Sequence, residues 1–202
     1  MKYLWLFAFL SLPMMMHSQL GLKAGFNFAN VTNAESINTS SRTGYHAGIF
    51  FSGSFKNILN SRSELLYSRQ GYNFSTNTNS GNVNLDYLLL PQLFAINITP
   101  LIQVQGGGQI AYLLNAEVDS TSSTGNQSAD NILDIVNRVD FGLGGGVEVH
   151  PISQVVIGAR IIFSLGKLFK EPEPGQQYSF IPDIDTKSNL FQLYAGLRFG
   201  KN

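Results

Sequence analysis

An all-β fold, an eight-stranded antiparallel up-and-down transmembrane β-barrel, is predicted by three observations. Apolar and polar residues alternate through most of the chain, charges are scarce, and the connections alternate between long and short. Charged residues make up 13% of the 202 residues, about half the ~25% of an ordinary soluble domain. Aromatics reach 12%, and there are 20 Gly.

The strands follow in order. Residues 20–29 set Leu20, Leu22, Ala24, Phe26 and Phe28 against Gly21, Lys23, Gly25, Asn27 and Ala29. Successive side chains of a strand leave opposite faces, so this is a strand with one apolar face. Residues 43–53, 138–149, 154–166 and 189–199 repeat the pattern, with Val156 and Ile162 as exceptions in the fourth of these five segments. Three further strands, 62–74, 85–98 and 101–114, alternate less cleanly. Residues 85–98 are apolar on both faces and include Pro91, so their faces stay unassigned. No segment reads as a helix.

The polar set is mostly Gly, Ser, Gln and Asn. A water-facing strand carries more charge, whereas a narrow lumen suits glycine, which needs no room for a side chain. The apolar set is almost free of charge, as a lipid-facing belt must be, since a charge at the midplane costs about 2–4 kcal/mol. Arg69 is the one exception and is expected near the outer rim. The connections 30–42, 75–84, 115–137 and 167–188 fall at one end; 54–61, 99–100 and 150–153 fall at the other. Transmembrane barrels pair longer outer loops with short periplasmic turns, and an even strand number puts both termini in the periplasm.

The first residues read as an address. Lys2 precedes an apolar run with Pro13 inside it, and His17-Ser18-Gln19 follows. The run is too short for the ~20 residues of a spanning helix. A secretory signal over 1–18 and a barrel domain over 19–202 are expected.

Composition also excludes function classes. Thirteen basic residues balance thirteen acidic ones, without the surplus that a nucleic-acid binder needs. The absence of Cys excludes disulfides, thiolate metal sites and thiol catalysis. No metal-ligand spacing, phosphate loop or nucleophile elbow is present. Gly142-Leu143-Gly144-Gly145-Gly146 lies in a strand with no helix after it, so it is no dinucleotide fingerprint. Only His46 and His150 remain once the signal is removed, one within a strand and one in an inner turn. No enzyme activity and no cofactor are expected.

The stretches Gly21-Leu22-Lys23-Ala24-Gly25, Thr43-Gly44-Tyr45-His46-Ala47-Gly48, Glu64-Leu65-Leu66-Tyr67-Ser68-Arg69-Gln70-Gly71 and Tyr87-Leu88-Leu89-Leu90-Pro91 occur in that order. With Gly106–Leu114 and Asp140-Phe141-Gly142 they resemble the PorT-like outer-membrane β-barrel family of Bacteroidota-type bacteria. The resemblance spans the mature chain. It implies an outer-membrane location and, for one branch of the family, a service to protein secretion. Such barrels often end on an aromatic residue, whereas here Gly200-Lys201-Asn202 follow Phe199.

Eight strands leave an interior that side chains just fill. The expected lumen charges are Lys23, His46, Arg62, Glu64, Arg138, Asp140, Glu148, Arg160 and Arg198. Buried charges must be paired, so a structural ion-pair network is expected, with Glu64 or Asp140 on Arg138, Arg160 or Arg198. An ion or small-anion site in the lumen is the alternative. Loops 115–137 and 167–188, rich in Asp, Glu, Ser and Asn, are the other candidate surface. Ile132, Leu133, Ile135 and Val136 suggest a short amphipathic turn there.

The expected function is therefore a small outer-membrane barrel with a structural or interaction role, surface loops and no open pore. Its expected partners are outer-membrane lipid and lipopolysaccharide, with a divalent cation able to bridge acidic loops to the latter. Secretion-machinery or surface proteins would dock on the loops, and the barrel-assembly machinery would insert the chain. The alternatives are an accessory to secretion and a soluble ligand-binding barrel.

Overall fold

The structure is a computed structural model that describes residues 19–32, 38–53, 58–75, 79–122, 127–170 and 187–199. The expected signal over 1–18 lies outside the described residues, as do 171–186 of the last long loop and the C-terminal 200–202. The strands are β1 (Gln19–Thr32), β2 (Asn38–Ser52), β3 (Leu59–Ser75), β4 (Asn79–Asn97), β5 (Ile102–Ser122), β6 (Gln127–Asn131), β7 (Val139–Ile152), β8 (Val155–Ser164) and β9 (Lys187–Phe199). Eight of them close a ring through antiparallel neighbours, with β4 on β5, β5 on β7 and β9 back on β1. The short β6 pairs with the last residues of β5 and stands outside the ring. No helix occurs among the described residues.

Two expectations about the connections are corrected. Residues 30–42 and 75–84 are largely strand, because β1 runs to Thr32, β2 starts at Asn38 and β4 starts at Asn79. Part of 115–137 is also strand, since β5 continues to Ser122 and β6 follows. The asymmetry of the molecule therefore resides in strand length as much as in loop length. β3, β4 and β5 have 17, 19 and 21 residues, whereas β7, β8 and β9 have 14, 10 and 13. The sheet stands as a tall wall over β3–β5 at the end that carries the two longest connections, the loop end.

The apolar face points outward. Phe26 is 62% exposed, Phe94 57%, Phe141 54% and Leu197 52%, levels a water-soluble domain would bury. On β9 the outward row runs from Phe191 to Phe199, about 27 Å of strand at ~3.4 Å per residue. At a tilt of about 40° that is roughly 21 Å of height, close to the apolar band of outer-membrane barrels. Toward the loop end the belt closes with Tyr45, Tyr67 and Tyr112, and the Tyr45 and Tyr67 rings lie 6.2 Å apart. Next to them Arg69 points outward and donates to both oxygens of Asp86, at 2.8 and 2.9 Å. Beyond that pair the outward positions turn polar, and Asn84 donates to Asp119 at 3.1 Å. A charge near the interface costs about 0–1 kcal/mol, against several at the midplane, so this pair marks the rim. Replacing Leu193, in the middle of the β9 row, by Arg is expected to destabilise the barrel by about 2–4 kcal/mol in urea titrations in lipid vesicles. Asn84→Arg on the polar wall should change it by less than about 1 kcal/mol.

The faces of β4 are now assigned. Leu85, Leu89, Leu93 and Ala95 face inward and are buried; Leu90, Phe94 and Ile96 face outward. Leu85 and Leu89 belong to the apolar cluster at the loop end, whereas Leu93 and Ala95 lie lower, paired with Arg62 and Asn60 of β3. Pro91 fits a central strand because the β3–β4 ladder breaks between Ser63↔Gln92 and Leu66↔Leu89, where the missing N–H is not called for.

Candidate functional site in the lumen

Residues two apart on a strand share a face, so one inward row per strand fills the tube. The rows form layers. Nearest the short-turn end lies an ionic layer centred on Glu64 of β3. Its carboxylate accepts from Lys23 Nζ at 2.9 Å, from Arg62 Nε at 2.7 Å, and from Arg160 Nη1 and Nη2 at 2.9 and 2.8 Å. Glu148 accepts from Arg62 Nη1 at 2.5 Å and from the Tyr194 hydroxyl at 2.8 Å. Gln105 ties the two carboxylates together. Its amide nitrogen donates to Tyr194 Oη at 2.7 Å, and its oxygen accepts from Arg160 at 3.0 Å. The Lys23 ammonium lies 3.6 Å over the Tyr194 ring, and Arg62 stacks on Phe50 at 4.0 Å. The side chains of Lys23, Arg62, Glu64, Glu148 and Arg160 are fully buried.

Glycines make room for the large members. A Cβ on Gly21 would come within 2.2 Å of the Phe50 ring, and one on Gly158 within 2.7 Å of the Tyr194 ring. The glycines on the lumen face are therefore the counterpart of the aromatic and charged side chains opposite them.

An amide layer follows. Asn27 Oδ1 accepts from His46 Nδ1 at 2.8 Å and from Gln192 Nε2 at 3.1 Å. Its Nδ2 donates to Ser68 Oγ at 2.8 Å, and Gln70 reaches the same hydroxyl at 3.0 Å. A small cavity comes next, lined by Gln70, Tyr87, Gln109, Asp140, Ser164 and Ser188 among others. Within it Ser164 Oγ donates to Asp140 at 2.6 Å, and the Gly166 N–H donates at 3.1 Å.

At the loop end the inner face is apolar, which corrects the expectation of a polar interior throughout. Tyr72, Phe74, Val83, Leu85, Leu113 and Leu190 are among the buried residues of one cluster there. Val156 and Ile162, out of phase in the sequence, indeed face inward. The cluster is roofed by two connections. Ile132 and Val136 come from the segment after β6, and Leu168 and Phe169 from the segment after β8. Val136 and Phe169 form an isolated antiparallel bridge, closed by Asn137 N–H to Leu168 O and Lys170 N–H to Ile135 O, each 2.9 Å. The expected turn at Ile132–Val136 is present, with its apolar side turned into the tube.

Of the nine charges expected in the lumen, five form the ionic layer: Lys23, Arg62, Glu64, Glu148 and Arg160. Arg198 is buried at the short-turn end beside Arg62 and Glu148. His46 sits one layer higher, on Asn27 rather than on a carboxylate. Asp140 bonds Ser164 and Gly166, not an arginine. Arg138 precedes β7, at the mouth of the tube, and is exposed there, outside the ion-pair layer. Tyr194, Gln105 and Gln192 share the parity of the polar face, but an uncharged side chain carries no pairing requirement that would flag it in the sequence. Asn27, the hub of the amide layer, was missed in the same way. No group of three or more His, Asp or Glu suited to a metal occurs among the described residues.

Comparison with known proteins agrees with this architecture. Ail, the attachment invasion locus protein of Yersinia pestis, superposes with a TM-score of 0.54 at 16% identity, covering 91% of this chain and 100% of that one. Ail in complex with the heparin analogue sucrose octasulfate gives a TM-score of 0.52 at 15% identity over the same shares. Neisserial surface protein A reaches 0.48 at 14% identity, covering 90% and 97%. No curated protein sequence matches significantly. Residues 13–170 match the family described as outer membrane protein beta-barrel domain. With that match over most of its length, a closed eight-stranded ring and an apolar outer face, the chain belongs to this family of outer-membrane barrels.

Proposed function

We propose that this outer-membrane barrel acts at the cell surface in a structural or interaction role, through its loop end, with a closed lumen and no catalysis. The observation that carries the reading is the filling of the tube. An ion-pair layer, an amide layer and an apolar roof follow one another along its height. The surface left for a partner is the polar wall of β3–β5 with the connections above it.

In this reading the loop end faces out. Gln19 and Phe199, the first and last described residues, lie together at the short-turn end, on the periplasmic side, as export of residues 19–202 behind a signal over 1–18 would leave them. Lipid and lipopolysaccharide then meet the Tyr row and the Arg69–Asp86 pair. Surface proteins meet the loops, and the barrel-assembly machinery inserts the chain. His46 is committed to Asn27, and His150 lies near Glu148 at the inner end, so neither stands beside a nucleophile in a cleft.

A second reading, an accessory to protein secretion, rests on the ordered PorT-like motifs from Gly21 to Pro91. Three measurements decide. Purified protein in planar bilayers is expected to show no conductance steps, and stable open-channel currents would overturn the closed-lumen reading. Protease added to intact cells should cut only connections of the loop end. Deletion of the gene should leave secreted cargo unchanged in the first reading and reduce it in the second.

A further inference from the structure

One polar pair interrupts the lipid-facing belt. The outward row of β4 runs Leu88, Leu90, Gln92, Phe94 and Ile96, with Gln92 in its middle. Leu88 is level with Tyr67 and Tyr112 of the aromatic rim. Gln92 lies about 14 Å further along the strand, roughly 10 Å deeper at a tilt of about 40°, and so near the midplane. Directly across on β3 is Ser63, also outward, whose hydroxyl donates to Gln92 Oε1 at 2.6 Å. This is the one hydrogen bond of the Gln92 side chain among the described residues, and it leaves both hydrogens of Nε2 open. Turning the amide over would engage Nε2 and open the oxygen instead, so half of the amide faces hydrocarbon either way. Hydrocarbon offers it no partner, and the side chain is too short to reach either interface.

The strands beside Gln92 are bare. Gln92 pairs with Gly108 of β5, Phe94 pairs with Gly106, and Gly106 pairs in turn with Gly145 of β7. All three glycines hold outward positions. The crowding that accounts for the lumen glycines is missing at two of them. A Cβ on Gly106 would meet its nearest neighbour at 3.6 Å and one on Gly108 at 3.8 Å, ordinary contact. Nothing within the barrel requires glycine there, and glycine weakens a strand interior; it suits a place where another backbone approaches closely. The notch has knobs at its edges, Phe94 beside Gly106 and Leu143 beside Gly108, 57% and 54% exposed.

We propose that this face is a homodimer interface within the membrane, where a second copy of the chain packs about a two-fold axis near Gln92. Self-complementarity names the occupant. A two-fold axis sets the patch against itself. A carboxamide carries donor and acceptor together, so two Gln92 side chains satisfy each other, with Nε2 of one donating to Oε1 of the other. The Phe94 and Leu143 knobs of one copy enter the glycine notch of the other, and the bare backbone lets the two sheets come close enough for the amides to meet. Small residues and polar side chains are what hold membrane segments together, because lipid removes the hydrophobic drive between them. The contact lies below the rim and is independent of any role of the loop end.

The chain has no Cys, so a single thiol can be placed at one chosen position. Residues 19–202 carrying Leu90→Cys, next to Gln92 in the outward row, or Leu193→Cys, on the opposite side of the ring, are folded into phosphatidylcholine vesicles at high lipid excess and oxidised. A disulfide-linked dimer is expected from Leu90→Cys, and none above the collision background from Leu193→Cys. Gln92→Leu and Gly108→Leu both point into lipid and should leave the barrel folded, as heat-modifiable gel mobility reports. Each should weaken dimerisation about tenfold, read from energy transfer between labelled copies in the same vesicles. Monomer alone from Leu90→Cys, equal linking at the two positions, or undiminished energy transfer in both leucine variants would overturn the proposal. So would a disulfide from Leu90→Cys to a different protein, in place of the homodimer, in native outer membranes.

Discussion

Glu64→Gln is expected to destabilise the barrel by about 3–5 kcal/mol, the cost of removing one partner from a fully buried ion cluster. Glu64 receives four hydrogen bonds from Lys23, Arg62 and Arg160, and its side chain has no exposure to water. The amide keeps the shape but not the charge, so three cations would be left with Glu148 alone. Attraction at 2.7–2.9 Å in a low-dielectric interior then turns into repulsion between groups that cannot move to water. The measurement is urea-induced unfolding in detergent micelles, with heat-modifiable gel mobility as a check that barrel forms at all. Glu64→Gln combined with Arg160→Met removes one surplus cation together with the lost anion. It should recover part of the loss, because replacing buried ions by apolar groups is far less costly than orphaning them. A double variant as unstable as the sum of its parts would show that the pair does not act as a unit.

Phe169→Ala is the second large effect, about 3–5 kcal/mol, and it should be local. Phe169 is 1% exposed and sits in the apolar roof, where its backbone also bridges to Val136. Removing the ring leaves a cavity between the two connections that close the mouth. The barrel below it is held by its own ladders. The loss should therefore appear first as faster hydrogen exchange at the Asn137 and Lys170 amides, which close the clasp. At ~1.4 kcal/mol per factor of ten, about two to three and a half orders of magnitude are expected, with strand amides of β1 and β9 little changed. Equal acceleration everywhere would mean that roof and barrel unfold as one.

The same two residues show how far the sequence can be read. Glu64 was visible as a lumen charge because strand periodicity sorts residues into two faces, and one charge on a glycine-rich face stands out. Its partners were not, because pairing depends on which strands adjoin and in what register. Lys23 lies 41 residues from Glu64 in the chain, and Arg160 lies 96. Phe169 was not visible at all. It lies in a connection rich in charges and prolines, and nothing local distinguishes a loop aromatic that folds into the tube from one that faces solvent.

Arg138 and Asp140 make the same point from the other side. Both share the parity of the lumen row, so both were expected in the ion network. Arg138 lies just before the first residue of β7, where the tube opens and the parity rule ends. Asp140 is in the tube, but at a height where its neighbours are Ser164 and Gly166. Height along a barrel follows from stagger between strands, and periodicity carries no information about it.

Periodicity, scarce charge and the placement of connections determined the class of this protein: strands, a lipid-facing exterior and a narrow tube are all consequences of which residue follows which. Tertiary structure alone decided the stratification of that tube, with ions at one end and an apolar roof borrowed from two connections at the other. The physical reason is range. Alternation is a property of adjacent residues, whereas a buried charge or ring is satisfied by whatever ring closure brings to its level, tens of residues away in the chain.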